Sequence, residues 1–299
     1  ECVPNISEGR DTQVLETFRQ VIHQVEGVTL LDHHVDPDHH RSVLTFVGAP
    51  TSIVEAAFEV ARLGSQTLDI RQHVGEHPRV GVVDVLPFVP LGESTMEECV
   101  SVAQQVGKRI GSELEIPVFL YEYAASNSHR TRLEMIRQGG LQGLANRIVH
   151  DHNWQPDFGP SVPHPTAGVV AVGARQFLIA YNIVLRSEDV TVAHAIAKSI
   201  RTSNGGLPGV KAMGVALKSR GLVQVSMNVT DFTQTPLSLV FQTVQQEAAQ
   251  LGIEIEESEL VGLIPQAAVS PTMAQDLKFR SFRPDQILEN RMKIKDVFR

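Results

Sequence analysis

Apolar residues change period repeatedly along the chain, and each change marks an element. Residues 1–6 form a short strand-like run. After a turn at 7–10, Val14, Leu15, Phe18, Val21 and Ile22 recur at helical spacing to about Gln24, with Asp11 as the expected N-cap and Gly27 as the stop. Residues 28–33 and 41–47 read as strands, joined by a polar loop over 34–40. Thr51 or Ser52 is expected to cap a helix to about Leu63, and residues 79–89 return to a strand. The order is β-α-β-β-α-β, the ferredoxin-like arrangement.

Ser94-Thr-Met-Glu97 reads as a capping box opening a helix to about Ile110. A strand is expected over 117–123. Two helical pieces over 127–150 break at Gly139-Gly140, and residues 150–164 are irregular. The second half repeats the plan. It has a strand over 176–185, a helix capped within Ser187-Glu-Asp189, and a hairpin of 210–217 with 222–229 around Lys218-Ser-Arg-Gly221. Thr235 as N-cap and Pro236 at the first helical position open a further helix to Gln250. A strand lies within 253–263, and the polar remainder is partly helical. The pattern predicts an α/β (α+β) protein of two tandem ferredoxin-like subdomains, 1–175 and 176–299. A ligand groove is expected between them, because pockets favour such junctions.

A length of 299 residues suits two domains, and 42% hydrophobic residues suffice for a core in each. The net charge of −8 argues against nucleic acid or an anionic membrane surface as partner, so an anionic ligand requires a local basic patch. Cys2 and Cys99 form no C-x-x-C pair, which fits a reducing, cytoplasmic setting. No secretory leader pattern or bilayer-length apolar run is visible. Cys99, on a predicted helix with no histidine nearby, reads as core.

Four polar clusters remain. Asp32-His-His-Val-Asp-Pro-Asp-His-His-Arg41 holds metal-ligand residue types, but their spacing matches no familiar metal motif. It reads as a solvated, substrate-facing loop, with Arg41 offering a fork for a carboxylate. In Arg71-Gln-His-Val-Gly-Glu-His-Pro-Arg79, Gly75 permits a turn and Pro78 biases His77 to extended geometry at a strand entrance. There a neutral imidazole can accept and return a proton near pH 7, with Arg71 and Arg79 supplying charge for an anionic substrate. Taken alone, the same stretch is an ordinary surface turn, and His73 a solvated neighbour. Gly159-Pro-Ser-Val-Pro-His-Pro-Thr-Ala-Gly168 is a shaped, low-entropy loop. It matches neither a P-loop nor a dinucleotide turn, and on composition it also suits a rigid linker. Asn182, Asn228 and Asp231, on strands or at strand ends, are either turn formers or ligand contacts. No Gly-x-Ser-x-Gly elbow is present.

Together these clusters resemble the glutamate formiminotransferase family. The motifs are Glu1-Cys-Val-Pro-Asn-Ile-Ser-Glu-Gly9, Asp36-Pro-Asp-His-His-Arg-Ser-Val43, Gly75-Glu-His-Pro-Arg79, Pro156-Asp-Phe-Gly-Pro160, His164-Pro-Thr-Ala-Gly168, Val172-Gly-Ala-Arg175 and Leu260-Val-Gly-Leu-Ile-Pro265. They span essentially the whole chain in the family's order. The resemblance implies transfer of the formimino group of N-formimino-L-glutamate to N5 of tetrahydrofolate in histidine degradation, with tetrahydrofolate as co-substrate and no metal. His77 corresponds to the catalytic histidine. The folate-contacting loop corresponds to Gly159, Pro160, Ser161, Val162, Pro163, His164, Pro165, Thr166, Ala167 and Gly168. Arg41, Arg71, Arg79, Asn228 and Asp231 are candidate substrate anchors. The family implies a homodimer, and ring closure of the product is expected of a separate cyclodeaminase. His40 departs from the family pattern, which usually has Asn before the arginine. Two alternatives stand beside this reading: formyl transfer from N-formylglutamate to the same acceptor, and a non-catalytic folate- or metal-binding module.

Overall fold

The structure, a computed structural model, describes residues 1–75 and 78–295, with side chains to 293. It divides into two compact units, Glu1–Gln176 and Phe177–Arg299.

The first unit begins with β1 (Asn5–Ile6), α1 (Thr12–His23), β2 (Val28–Asp36), β3 (Arg41–Gly48), α2 (Pro50–Thr67) and β4 (Val83–Phe88). Asp11 caps α1 as expected, its carboxylate accepting from the N–H groups of Gln13 and Val14. β2 runs on to Asp36, beyond the apolar pattern, because β3 supplies partners as far as Asp36 opposite Arg41. Residues 34–36 are therefore strand rather than loop, and only 37–40 turn. The cap of α2 also departs from expectation. Ala49 is the N-cap and makes no side-chain bond, while Pro50 takes the first helical position, so Thr51 and Ser52 lie inside the helix. Proline's fixed φ and missing N–H suit that position.

The unit continues with α3 (Met96–Glu113), β5 (Val118–Glu122), α4 (Leu133–Arg137), α5 (Gly140–His150) and β6 (Val170–Ala174). The capping box of α3 sits one residue later than read, as Thr95 with Glu98. Ser94-Thr95-Met96-Glu97-Glu98 contains the pattern twice, and the second copy forms. β6 had no counterpart in the sequence reading. It is short, built of small residues and buried throughout, so it lacks the alternation that marks a half-exposed strand.

The sheet order is β2-β3-β1-β4-β6-β5, in which the first four strands have the ferredoxin-like order and β4, β6 and β5 are parallel. One face packs Ile6, Leu44, Phe46, Leu86 and Phe88 against α1, α2 and α3. On the other, α4, α5 and Trp154 cover Val85, Phe119, Tyr121 and Ala171, at the β4-β6-β5 end.

The second unit comprises β7 (Ile179–Leu185), α6 (Val190–Ile200), β8 (Val210–Leu217), β9 (Leu222–Val229), α7 (Leu237–Gln250), β10 (Ile255–Val261), α8 (Met273–Asp276) and α9 (Leu288–Lys295). Its sheet order, β10-β7-β9-β8, is again ferredoxin-like, and the hairpin falls at the expected residues. Thr235 is not the cap of α7. It is buried, its hydroxyl donates to the Pro208 carbonyl at 2.6 Å, and Pro236 takes the cap position. Among the described residues, no helix is long and apolar enough to cross a membrane.

Candidate active site

Period-2 alternation decides which polar residues share a surface. Leu44 and Phe46 face the helices of the first unit, so Arg41, Val43 and Thr45 face the other way. Cross-strand register puts Asp36 beside Arg41, and both His34 and Asn5 beside Val43. The sequence-predicted cluster at 32–41 therefore divides. His34, Asp36 and Arg41 lie on the face opposite α1 and α2, whereas His33 pairs with Leu44 on the helical side. Burial, with the charges of Arg19 and His34, lowers His33 to about 4, so its ring is neutral at neutral pH.

Asp84 collects the positive charge on this unit. It is buried in β4, accepts the Val80 N–H at 2.7 Å, and pairs with Arg137 at the end of α4, whose Nε lies 2.9 Å from Oδ2. Arg41 and Arg79 both feel Asp84 and Arg137. Burial, then the charge of Arg137, pushes Arg41 down to about 10, with Asp36 and Asp84 opposing. Burial pushes Arg79 down to about 10 as well, Asp84 opposing and Arg137 and Arg10 adding to the shift. Arg41 and Arg79 remain charged at neutral pH, and Asp84 is already bonded to Arg137. A carboxylate placed here would relieve the crowding of positive charge. Arg71 differs. It is exposed and bound bidentately to Asp69, the residue that caps the short helical turn Ile70–Gln72.

Glu76 and His77 lie outside the described residues. Their flanks are fixed by the loop at 159–168. Ile70 N–H donates to the Thr166 carbonyl at 2.8 Å, and Val82 N–H donates to the Ala167 carbonyl at 3.0 Å. The loop is closed on itself by two bonds between His164 and Gly168, of 2.9 and 3.0 Å. His164 Nδ1 accepts from the N–H groups of Thr166 and Ala167, so its proton sits on Nε2. Gly168 has φ 74°, and a Cβ there would lie 2.4 Å from the Val80 carbonyl oxygen, so only glycine allows this docking. At the other end, Asp157 accepts from Leu120 N–H at 2.7 Å and from Arg130 at 2.8 Å, which fixes the approach to Gly159. Ser161, Val162 and Pro165 are exposed between these anchored ends.

In the second unit, Asn182 and Asn228 share the sheet face opposite the core residues Tyr181, Ile183, Val225 and Met227. Asn182 is buried and donates to Glu259 at 3.3 Å. Asn228 is exposed, and its amide has no hydrogen-bond partner among the described residues. Asp231 is engaged locally, accepting from Thr233 and Gln234 in the turn before α7. The Thr233 hydroxyl, first among these, holds its carboxyl below the usual range. Cys99 is buried in the first core, as read.

Asp84 and Arg137 escaped the sequence reading. One signal was available: a single acid inside the apolar run Val80-Gly-Val-Val-Asp-Val-Leu86 has to be paired when buried. Nothing local pointed to Arg137 as the partner, 53 residues away.

This fold and site place the chain in a known class. It belongs to the formiminotransferase family: residues 1–175 match the N-terminal subdomain of the formiminotransferase domain, and residues 180–298 match the formiminotransferase domain that follows it. It is 43% identical to the glutamate formimidoyltransferase of Streptococcus pyogenes serotype M1, over 98% of both chains. It is also 43% identical to that of Thermoplasma acidophilum, over 98% of this chain and 96% of the relative. The formimidoyltransferase-cyclodeaminase of Dictyostelium discoideum is 40% identical, and the match spans 98% of this chain and 56% of that protein. The chain is an enzyme of the one-carbon transferase type.

Proposed function

We propose that His77 is the proton carrier of this enzyme, that residues 159–168 contact the folate, and that Arg41 and Arg79 hold substrate carboxylates. The reaction moves the formimino group of N-formimino-L-glutamate to N5 of tetrahydrofolate and releases L-glutamate. N5 attacks the amidine carbon, and the resulting tetrahedral intermediate collapses by breaking the bond to the glutamate nitrogen. One proton must leave N5 and one must reach the departing nitrogen. A single imidazole can do both in turn, accepting and then donating, a contribution of about 10²–10⁴-fold in rate.

One observation supports this assignment above the others. The chain on both sides of His77, at Ile70 and at Val82, is hydrogen-bonded to the 164–168 segment. The segments leading into and out of the His77 stretch are thus tied to the loop proposed to hold the folate. The crowded guanidinium groups at Asp84 supply charge for the carboxylates that both substrates carry. Asn228 and Asp231 remain candidate anchors, and the Asn228 amide makes no hydrogen bond among the described residues, whereas Asp231 is engaged in its own turn. Arg71 is a candidate for an outer carboxylate that displaces Asp69. We further infer, from the family resemblance, a homodimer. The free thiols Cys2 and Cys99 support a cytoplasmic setting.

His77→Ala tests the assignment. Transfer is expected to fall by about 10²–10⁴-fold while tetrahydrofolate binding, followed by fluorescence or calorimetry, is retained. Undiminished transfer in this variant rejects His77 as proton carrier. Binding without transfer in the unsubstituted chain would favour a non-catalytic module instead.

A further inference from the structure

His40 closes the turn between β2 and β3 in a conformation that few side chains adopt. Its φ is 49°, in the left-handed region. Such a conformation persists where neighbouring contacts over-determine it, and here those contacts are visible. His40 Nδ1 lies 2.9 Å from the carbonyl oxygen of Val74, and Nε2 lies 3.2 Å from Oε1 of Glu8. The ring stacks on His73, with centroids 4.2 Å apart and planes 19° from parallel. Gly75 packs so closely that a Cβ there would lie 2.9 Å from His40 Cβ and 2.5 Å from the His39 carbonyl oxygen.

The Val74 carbonyl can act only as an acceptor. A carbonyl oxygen faces Nδ1, so that nitrogen carries the proton in the arrangement seen. Glu8 is itself pinned. Burial raises its carboxyl, but the N–H groups of Asp11, Arg10 and Gly9, with His40, outweigh this and hold it below the usual range. His40 thus ties together the turn after β1, the turn after β2, and residues 73–75. The last of these segments leads directly into Glu76 and His77. Arg79 Nη2 closes on the same side, 2.9 Å from the Cβ position at Gly75, and none of the contacts His40 itself makes is with the loop at 159–168.

We propose that His40 is a positioning residue for transfer. Through its Nδ1–H bond to Val74 and its stack on His73, it fixes the backbone three residues before His77. This rests on the assignment of the proton transfer to His77. A side chain acting in this way changes the rate of the chemical step and leaves substrate binding alone, because misplacement of a reacting group by about 1 Å costs about 10²-fold.

Three variants test it. His40→Gly accepts the left-handed conformation without strain but removes the ring. His40→Asn also tolerates that conformation and places an amide N–H near the position of Nδ1. His40→Gln reaches toward Glu8 and forfeits the bond to Val74. The expected result is a kcat lowered about tenfold to a hundredfold in His40→Gly and His40→Gln. KM for both substrates should stay unchanged, and most of kcat should return in His40→Asn. Hydrogen exchange of the amides at 73–75 should rise in the first two variants and recover in the third.

Unaltered exchange at 73–75 overturns the clamp whatever His77 does. Raised exchange with an unaltered kcat overturns the link to catalysis. A loss that His40→Asn does not reverse overturns the role of the Val74 bond. Failure of the underlying assignment is seen separately, as an active His77→Ala variant.

Discussion

Arg41 carries the sharpest consequence at the scale of single residues. Burial and neighbouring cations crowd its guanidinium, with Asp36 and Asp84 opposing. Arg41→Met should raise KM for N-formimino-L-glutamate roughly tenfold to a hundredfold, the value of about 1.5–3 kcal/mol for a hydrogen bond to a charged group. A normal KM would remove Arg41 from the list of anchors. Asp84 tests a different quantity. Replacing it with Ala leaves half-buried Arg137 near Arg41 and Arg79 without its carboxylate. Urea unfolding should report a loss of about 3–5 kcal/mol, as for breaking one side of a buried pair. His33 sets an acid-side sensitivity. Its pKa falls from 6.5 to about 4 on folding, so between those values the unfolded chain binds more protons and stability rises with pH. Stability should therefore fall as pH drops from about 6.5 towards 4. His33→Gln should lessen that fall, and an identical pH–stability curve would contradict the half-buried, neutral ring.

At the scale of elements, the site depends on close backbone approach. Gly168 holds the end of the 159–168 loop against β4's entrance, with φ 74° and no room for a Cβ beside Val80. Gly168→Ala should cost about 1–3 kcal/mol from the left-handed strain alone. It should also raise KM for tetrahydrofolate, because both flanks of the His77 stretch bond to this segment. A normal folate KM in a destabilised variant would separate the loop from the folate. The elements themselves were largely legible. Helices with clear stripes and the 210–229 hairpin fell where periodicity put them. Errors clustered where partners far along the chain decide the outcome. β2 extends through polar residues because β3 offers a ladder, and β6 hides because burial on both faces erases alternation. The caps at Ala49, Thr95 and Pro236 were each missed by one to three residues, since adjacent Ser, Thr and Pro present competing local solutions.

At the scale of the whole molecule, two β-α-β-β-α-β units follow one another, and each has its own core. The first adds three features to that plan: α3, the parallel pair β5 and β6, and the helices that bring Arg137 to Asp84. The candidate chemistry gathers on those additions and on the turns around β1 to β4. Periodicity could place the units but not this gathering. Asp84 and Arg137 meet only through the fold, and His40 reads as a solvated loop residue until its partners at Glu8 and Val74 are seen. The choice of donor tests the account of the molecule as a whole, since formimino and formyl groups differ by nitrogen or oxygen at the reacting carbon. The most direct measurement compares N-formimino-L-glutamate with N-formyl-L-glutamate in the presence of tetrahydrofolate, following glutamate release and the folate spectrum. The account predicts turnover with the formimino donor and formation of 5-formiminotetrahydrofolate. Absence of that turnover, or faster transfer from the formyl donor, would contradict it.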